Sequence, residues 1–302
     1  MQPTHNSARV ISISRRLATL QLNTGNIISA QVTRKTSDVT IGDIAFFKQE
    51  GKKTILTGIE PRKNTFSRSL GKRTKLIGAN IDRIFIVTAP TPLFNTTFID
   101  RVLAVAQREN IPASLAVNKS DLGLEQDKEL IEYYRSIGTE VITTSVLTEN
   151  GLSDLEQLLA APELSVTAFV GVSGVGKSSI INRLVPEAAQ RTSAVSHKTG
   201  QGRQTTSRAF GYIYKREHAS GLLLIDLPGI QNFGICHLTH EEVRNAFFEF
   251  QQYLPQCEYA DCWHRAEPRC GVKDALRAGK ISPSRYNSYL NMLDELEANR
   301  EY

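Results

Sequence analysis

Asn118-Lys119-Ser120-Asp121 stands 53 residues upstream of Gly171-Val172-Ser173-Gly174-Val175-Gly176-Lys177-Ser178, and that order decides how the whole chain is read. The second stretch satisfies G-x4-G-K-[S/T]. Its glycines let backbone N–H groups surround phosphates, and Ser178-Ser179 opens a helix whose N-terminus adds positive potential. An apolar run, Val166 to Val170, leads into it as a buried strand. Lys177 is placed to reach the β- and γ-phosphates, and the Ser178 hydroxyl to bind Mg²⁺. The first stretch carries base choice. The Asp121 carboxylate can accept from both N1–H and the 2-amino group of guanine, donors that adenine lacks there, so adenine would leave a buried carboxylate unpaired. Asn118 orients that loop, the Lys119 stem packs on the base plane, and Ser120 completes it. Ser145-Val146, after the strand-like run 141–144, offers a backbone contact to the guanine oxygen. With base reader first and phosphate loop second, the nucleotide domain reads as circularly permuted.

Two further segments complete the site. Asp226-Leu227-Pro228-Gly229 follows the apolar run Leu222–Ile225, 55 residues beyond Gly171. A carboxylate at that strand end can hold Mg²⁺, directly or through water, and the Gly229 N–H can sense the γ-phosphate. Between these motifs, Thr199–Thr206 has no apolar period and suits a loop that orders on γ-phosphate and Mg²⁺. Thr205 or Thr206 supplies the second Mg²⁺ ligand, and spacing leaves the two open.

Outward from the site, the pattern divides the chain. Residues 1–65 hold five short β-rich runs separated by turn signals, a small barrel for which the oligonucleotide-binding and SH3-like types remain open. Residues 66–80 read as a basic connector. Residues 81–235 alternate apolar strands with amphipathic helices, which means a mostly parallel sheet covered on both faces. Residues 236–302 are helical at 241–253 and 284–298, around a Cys/His cluster. The fold class is therefore multidomain: a β-barrel, an α/β nucleotide domain and a helical metal domain.

The chain has 302 residues, is 40% hydrophobic and carries a net charge of +5. No apolar run approaches the ~18 residues that a membrane span needs, and the polar N-terminus has no apolar signal core, so a soluble intracellular protein without a membrane partner is expected. Residues 1–80 hold 14 Lys/Arg against 4 Asp/Glu, leaving 22 against 27 in the remainder. A basic front points to a polyanion partner. Three of the four cysteines fall within fourteen residues. With His264, the residues Cys257, Cys262 and Cys270 make the four-ligand set of a closed structural zinc site. Cys236 stands apart as an ordinary buried thiol, and Trp263 is assigned to packing.

Taken together, these motifs resemble the circularly permuted ribosome-assembly GTPases of the RsgA/YjeQ family. The resemblance spans essentially the whole chain. It rests on the motif order, the Gly-Arg-x-Thr-Thr loop at 202–206, the D-x-P-G at 226–229 and Cys257-x4-Cys262-x-His264-x5-Cys270. It implies an oligonucleotide-binding barrel, a permuted GTPase domain and a zinc domain. It further implies a monomeric factor of the bacterial cytoplasm that binds the small (30S) ribosomal subunit and its 16S rRNA late in maturation. GTP hydrolysis to GDP would be stimulated by the subunit and linked to release. This chain departs from the family pattern in two places. Gln204 stands where the family usually has His, and Leu227 where it usually has Thr. The position that carries a water-orienting Gln in many GTPases is Ile230. Gln204 is then the candidate for positioning water, beside Lys177 as the charge-stabilising group. The rival reading is a GTP-gated RNA-binding module with little intrinsic hydrolysis. A zinc-dependent DNA regulator is disfavoured, since no helix-turn-helix or tandem finger is present.

Overall fold

A computed structural model describes residues 6–92, 94–188, 209–215 and 221–299. The front of the chain forms β1 (Asn6–Ser14), β2 (Leu17–Gln21), β3 (Ile27–Gln31), β4 (Ile44–Glu50) and β5 (Lys53–Ile59). The order is β1-β2-β3-β5-β4, and β4 pairs back onto β1, which closes the barrel. Only β3–β5 is parallel among these pairs. This five-stranded closure is the oligonucleotide-binding type, and it resolves the choice that alternation alone left open. Ala8, Val10, Ala18, Leu20, Ala30, Ala45, Phe47 and Leu56 fill the interior. Small residues at four of those eight positions suit a barrel this narrow.

The expected connector at 66–80 is instead an antiparallel hairpin, β6 (Thr65–Leu70) and β7 (Arg73–Ala79), turning at Gly71. Its charge hid its period. Lys72, Arg73 and Lys75 are exposed, whereas Phe66, Ser69, Ile77 and Ala79 are buried. The apolar surface that buries Phe66 comes from outside the hairpin: its ring lies 5.6 Å from that of Phe233.

Next come β8 (Arg83–Thr88), α1 (Thr96–Arg108), β9 (Ala113–Val117), α2 (Lys128–Ser136), β10 (Glu140–Thr143), α3 (Leu152–Leu159), β11 (Val166–Val170), α4 (Lys177–Leu184), β12 (Phe210–Tyr214) and β13 (Leu222–Asp226). The sheet order is β10-β9-β8-β11-β13-β12. The first five strands of that order are parallel, and β12 is antiparallel at the edge. The sequence reading did not anticipate β12, in which only Gly211 is buried. Among the described residues, a single bridge, Ser12 to Phe210, joins β12 to the barrel.

Alternate residues of each strand enter opposite faces. Ile84, Ile86, Leu115, Val117, Ala168, Val170, Leu223 and Ile225 face α1, α2 and the C-terminal helices. Phe85, Val87, Ala116, Ile142, Phe169, Leu222 and Leu224 face α3 and α4. The C-terminal part comprises α5 (His240–Ala246), a 3-10 segment Phe248–Gln256, α6 (Gly271–Arg277) and α7 (Pro283–Ala298). The helix expected over 241–253 thus breaks at Phe247 and tightens into 3-10 geometry ahead of Pro255, which cannot donate to a helical ladder. Its apolar side chains join the core that lies on the α1 face of the sheet.

A buried ion network crosses that contact. The Arg285 guanidinium donates to Asp100 Oδ1 and Glu249 Oε1, each at 2.7 Å. Tyr134 donates to the same Asp100 oxygen at 2.7 Å. Burial pushes the Arg285 guanidinium down, but the two carboxylates outweigh it and hold the group above its ordinary value.

Candidate nucleotide site and metal cluster

Parallel strands end at one edge of a sheet, and ligands of such sheets gather in the crevice outside those carboxyl ends. Four motifs emerge there. Asn118 follows β9, Ser145 follows β10 by one residue, Gly171 follows β11 and Asp226 ends β13. Motifs far apart in sequence are therefore neighbours by topology.

Their side chains are already tied together. Asn118 Nδ2 donates to Val175 O at 2.9 Å, and Thr144 Oγ1 donates to Asn118 Oδ1 at 3.2 Å. Lys119 adopts a left-handed backbone (φ 61°), and its ammonium donates to Thr91 O and Gly174 O, both at 2.7 Å. A non-glycine residue in that region is costly unless the surroundings hold it, and these two bonds do so. The Ser145 hydroxyl donates to Asp121 Oδ1. Ser145 N–H donates to Asn150 O at 2.9 Å.

In the loop between β11 and α4, Gly176 has φ 96°, and a Cβ there would stand 2.2 Å from Asn118 Nδ2. Only glycine lets the asparagine approach this closely. Lys177, 5% exposed, donates to Gly171 O and Val172 O at 3.0 Å each. Burial pushes its ammonium below the ordinary value, and Asp226 opposes the shift. Ser178 Oγ donates to Asp226 Oδ2 at 2.7 Å. A hydroxyl and a carboxylate at this separation are the pair that a divalent cation between phosphate and strand end requires. Gln204, Thr205 and Thr206 lie outside the described residues.

The turn after Asp226 folds back over the phosphate loop. A Cβ on Gly229 would lie 2.8 Å from Ser173 Cα and 3.0 Å from its Cβ. Ile230 is 2% exposed, and its N–H donates to Gly171 O at 3.2 Å. Its side chain belongs to the core and cannot orient water. Leu227 is likewise buried in that core.

Residues 232–237 are gripped from three sides. From the hairpin, Arg68 donates to Asn232 O at 3.2 Å, Ser69 N–H to Gly234 O at 2.8 Å, and the Ser69 hydroxyl pairs with His237 Nδ1 at 3.0 Å. From α1, Arg101 donates to Phe233 O at 3.0 Å and forms an ion pair with Glu295. From α7, Glu295 accepts from Ile235 N–H at 2.8 Å and from the Cys236 thiol at 3.3 Å. Cys236 is thus half-buried and hydrogen-bonded, and burial pushes its thiol up to about 11.

The ligand atoms of Cys257, Cys262, His264 and Cys270 all lie within 4.8 Å of one another. His264 Nδ1 is 3.4 Å from Cys270 Sγ and 3.7 Å from Cys257 Sγ. A tetrahedral ion with bonds of about 2.1 Å to nitrogen and 2.3 Å to sulfur separates its ligands by about 3.6 Å, so the cluster fits a metal. His264 is fully buried and left-handed (φ 60°). Tyr286 donates to its carbonyl at 2.5 Å and Tyr289 to that of Trp263 at 3.0 Å, which pins the loop to α7. Burial pushes the Cys262 thiol up to about 12, so binding an ion releases protons. Trp263 is half-buried, with the Arg244 guanidinium 5.0 Å from its ring and His240 edge-on at 5.9 Å.

The profile of the RsgA GTPase family matches residues 59–236. The chain belongs to the RsgA GTPase family. It is accordingly a P-loop GTPase that hydrolyses GTP. It is similar to the small ribosomal subunit biogenesis GTPase RsgA of Mannheimia succiniciproducens, 33% identical over 94% of this chain and 81% of that one. The protein of the same name from Histophilus somni is 36% identical over 90% and 79%. Among solved structures, YjeQ from Thermotoga maritima superposes with a TM-score of 0.71 at 28% identity, covering 97% and 98% of the two chains. YloQ, described as a circularly permuted GTPase, superposes with a TM-score of 0.67 at 25% identity over 99% and 97%. The inverted motif order therefore does correspond to a permuted GTPase fold, with a barrel before it and a Cys3His cluster after it.

Several residues at the site escaped the sequence reading. Thr144 orients Asn118, yet a threonine at a strand end carries no motif. Arg101 and Glu295 hold the segment after Gly229, although they lie 132 and 62 residues from Phe233 and left no local signal. Ser69 and His237 meet only because the supposed connector is a hairpin.

Proposed function

We propose that this GTPase is a nucleotide-dependent switch in maturation of the small ribosomal subunit. GTP would lie along the carboxyl edge of the sheet. Asp121 would read the guanine, Asn118, Lys119 and Ser120 would shape its pocket, and Val146 would meet its oxygen. The backbone from Gly171 to Gly176, with Ser179 opening α4, would cradle the phosphates. Lys177 would neutralise the β- and γ-phosphates, and Ser178 with Asp226 would hold Mg²⁺, joined by Thr205 or Thr206. The observation that carries this reading is the convergence of Ser178 and Asp226 at 2.7 Å in a crevice where Asn118 already binds the phosphate loop. The relatives' shared name supplies the subunit, and the basic hairpin and barrel supply the charge for 16S rRNA. The Cys3His set suits zinc, whose tetrahedral preference it matches. With Ile230 buried, intrinsic hydrolysis is slow and rises when the subunit binds; Gln204 is a candidate for that step. The protein works as a cytoplasmic monomer. The segment gripped by hairpin, α1 and α7 is the route by which nucleotide state reaches the metal-bearing helices.

Co-sedimentation with small subunits tests this. Binding is expected with GTP or a non-hydrolysable analogue, weaker with GDP, and weaker as salt rises. Equal binding in all nucleotide states would remove the switch, and single-turnover rates that ignore the subunit would leave only a GTP-gated RNA-binding module.

A further inference from the structure

Hydrolysis needs a group that holds the attacking water in line with the γ-phosphate. The position that supplies it in many GTPases is here Ile230, whose side chain is core and whose N–H is spent on Gly171 O. On the proposed phosphate site, the γ-phosphate would lie between the phosphate loop and the D-x-P-G turn, which meet where Gly229 approaches Ser173. Ser173 sits at that seam. Its Cβ faces Gly229, closely enough that any side chain at 229 would strike it at 3.0 Å, and the residue is half-buried. The other polar side chains of the loop are engaged: Lys177 is held by Gly171 and Val172, and Ser178 by Asp226.

We propose that the Ser173 hydroxyl is a catalytic group that orients the attacking water at the γ-phosphate. Its oxygen accepts a hydrogen bond from the water. The water oxygen then bonds to the γ-phosphorus as the bond to the β–γ bridging oxygen breaks. The electron pair of that bond leaves with GDP, and the water's proton passes to the phosphate product. Ser173 keeps its own proton and is not consumed. This rests on the phosphate-site assignment above.

The test is single-turnover GTP hydrolysis by the full chain, alongside equilibrium binding of GDP and of a non-hydrolysable GTP analogue. Ser173→Ala and Ser173→Gly both remove the hydroxyl, and the glycine variant adds no bulk at the seam. Both are expected to slow hydrolysis by about 3- to 10-fold, the range of one neutral hydrogen bond. Binding of both nucleotides should stay within about threefold. Three results overturn the proposal: unchanged hydrolysis in either variant, recovery in the glycine variant alone, or a loss of GDP affinity as large as the loss of rate. Lys177→Ala run in parallel separates failures. If it is inactive while Ser173→Ala is normal, only the serine's role falls; if both are normal, the phosphate-site assignment falls too.

Discussion

The base side and the sensing side of the nucleotide crevice are built in opposite ways. On the base side, the side-chain bonds of Asn118, Lys119 and Asp121 among the described residues come from within the sheet and its own loops: Val175, Thr144, Thr91, Gly174 and Ser145. On the sensing side, Gly229 rests on Ser173, but residues 232–237 are held by parts foreign to the sheet, the β6–β7 hairpin and α7, with α1 between them. A pocket assembled from within selects its ligand whatever its neighbours do. A segment held from outside can report the ligand to those neighbours, or be moved by them.

Substitutions can break or sharpen this contrast. The heaviest blow should come from Arg285→Met, which leaves Asp100 and Glu249 buried without their counter-charge. Losing one partner of such a pair costs about 3–5 kcal/mol, so the melting temperature should fall clearly in calorimetry. Guanine selectivity of the folded fraction should survive, because among the described residues no base-side side-chain bond involves α7. Lys177→Ala comes next: single-turnover hydrolysis should drop by about 100- to 1,000-fold, as for loss of one preorganised charge-stabilising donor.

Asp121→Asn should weaken GTP binding by about 10- to 100-fold through the lost charged hydrogen bonds. Titration with GTP and ATP should show the preference collapsing, with stability little changed. Retained preference would mean that the base is read elsewhere. Glu295→Gln is milder still. It keeps an acceptor for Ile235 N–H but loses the ion pair with Arg101, so about 1 kcal/mol is expected. The diagnostic readout is the ratio of subunit affinities in GTP and GDP, which should shrink while affinity for the nucleotides themselves holds. Ser69→Ala, which removes one neutral hydrogen bond to His237, should shrink that ratio least.

The contrast also explains what could be read without coordinates. Base-side residues were legible because each has a narrow chemical task that only a few residue types perform at a set distance from a strand end. The phosphate loop was legible for the same reason, and so was Cys257-x4-Cys262-x-His264-x5-Cys270, where one ion demands four donors close in sequence. The grip on 232–237 was not. Arg101, Glu295, Ser69 and His237 are ordinary surface types, and their contacts are set by which elements pack together. The hairpin was missed because its apolar face is one phenylalanine, an isoleucine and an alanine set among lysines and arginines.

Composition and spacing alone thus gave a permuted nucleotide fold with its phosphate loop, a barrel in front and a four-ligand cluster behind, and they nominated the residues proposed to read the base. These follow from local rules: strand period, glycine turns and donor chemistry. Tertiary structure alone decided the barrel type, by strand order and closure. It alone turned a basic stretch into a hairpin and gave the Arg285 guanidinium two carboxylates. It alone set the Ser173 side chain against Gly229. Contacts between elements distant in sequence depend on how those elements dock, and no period or motif within one of them encodes the partner it will meet.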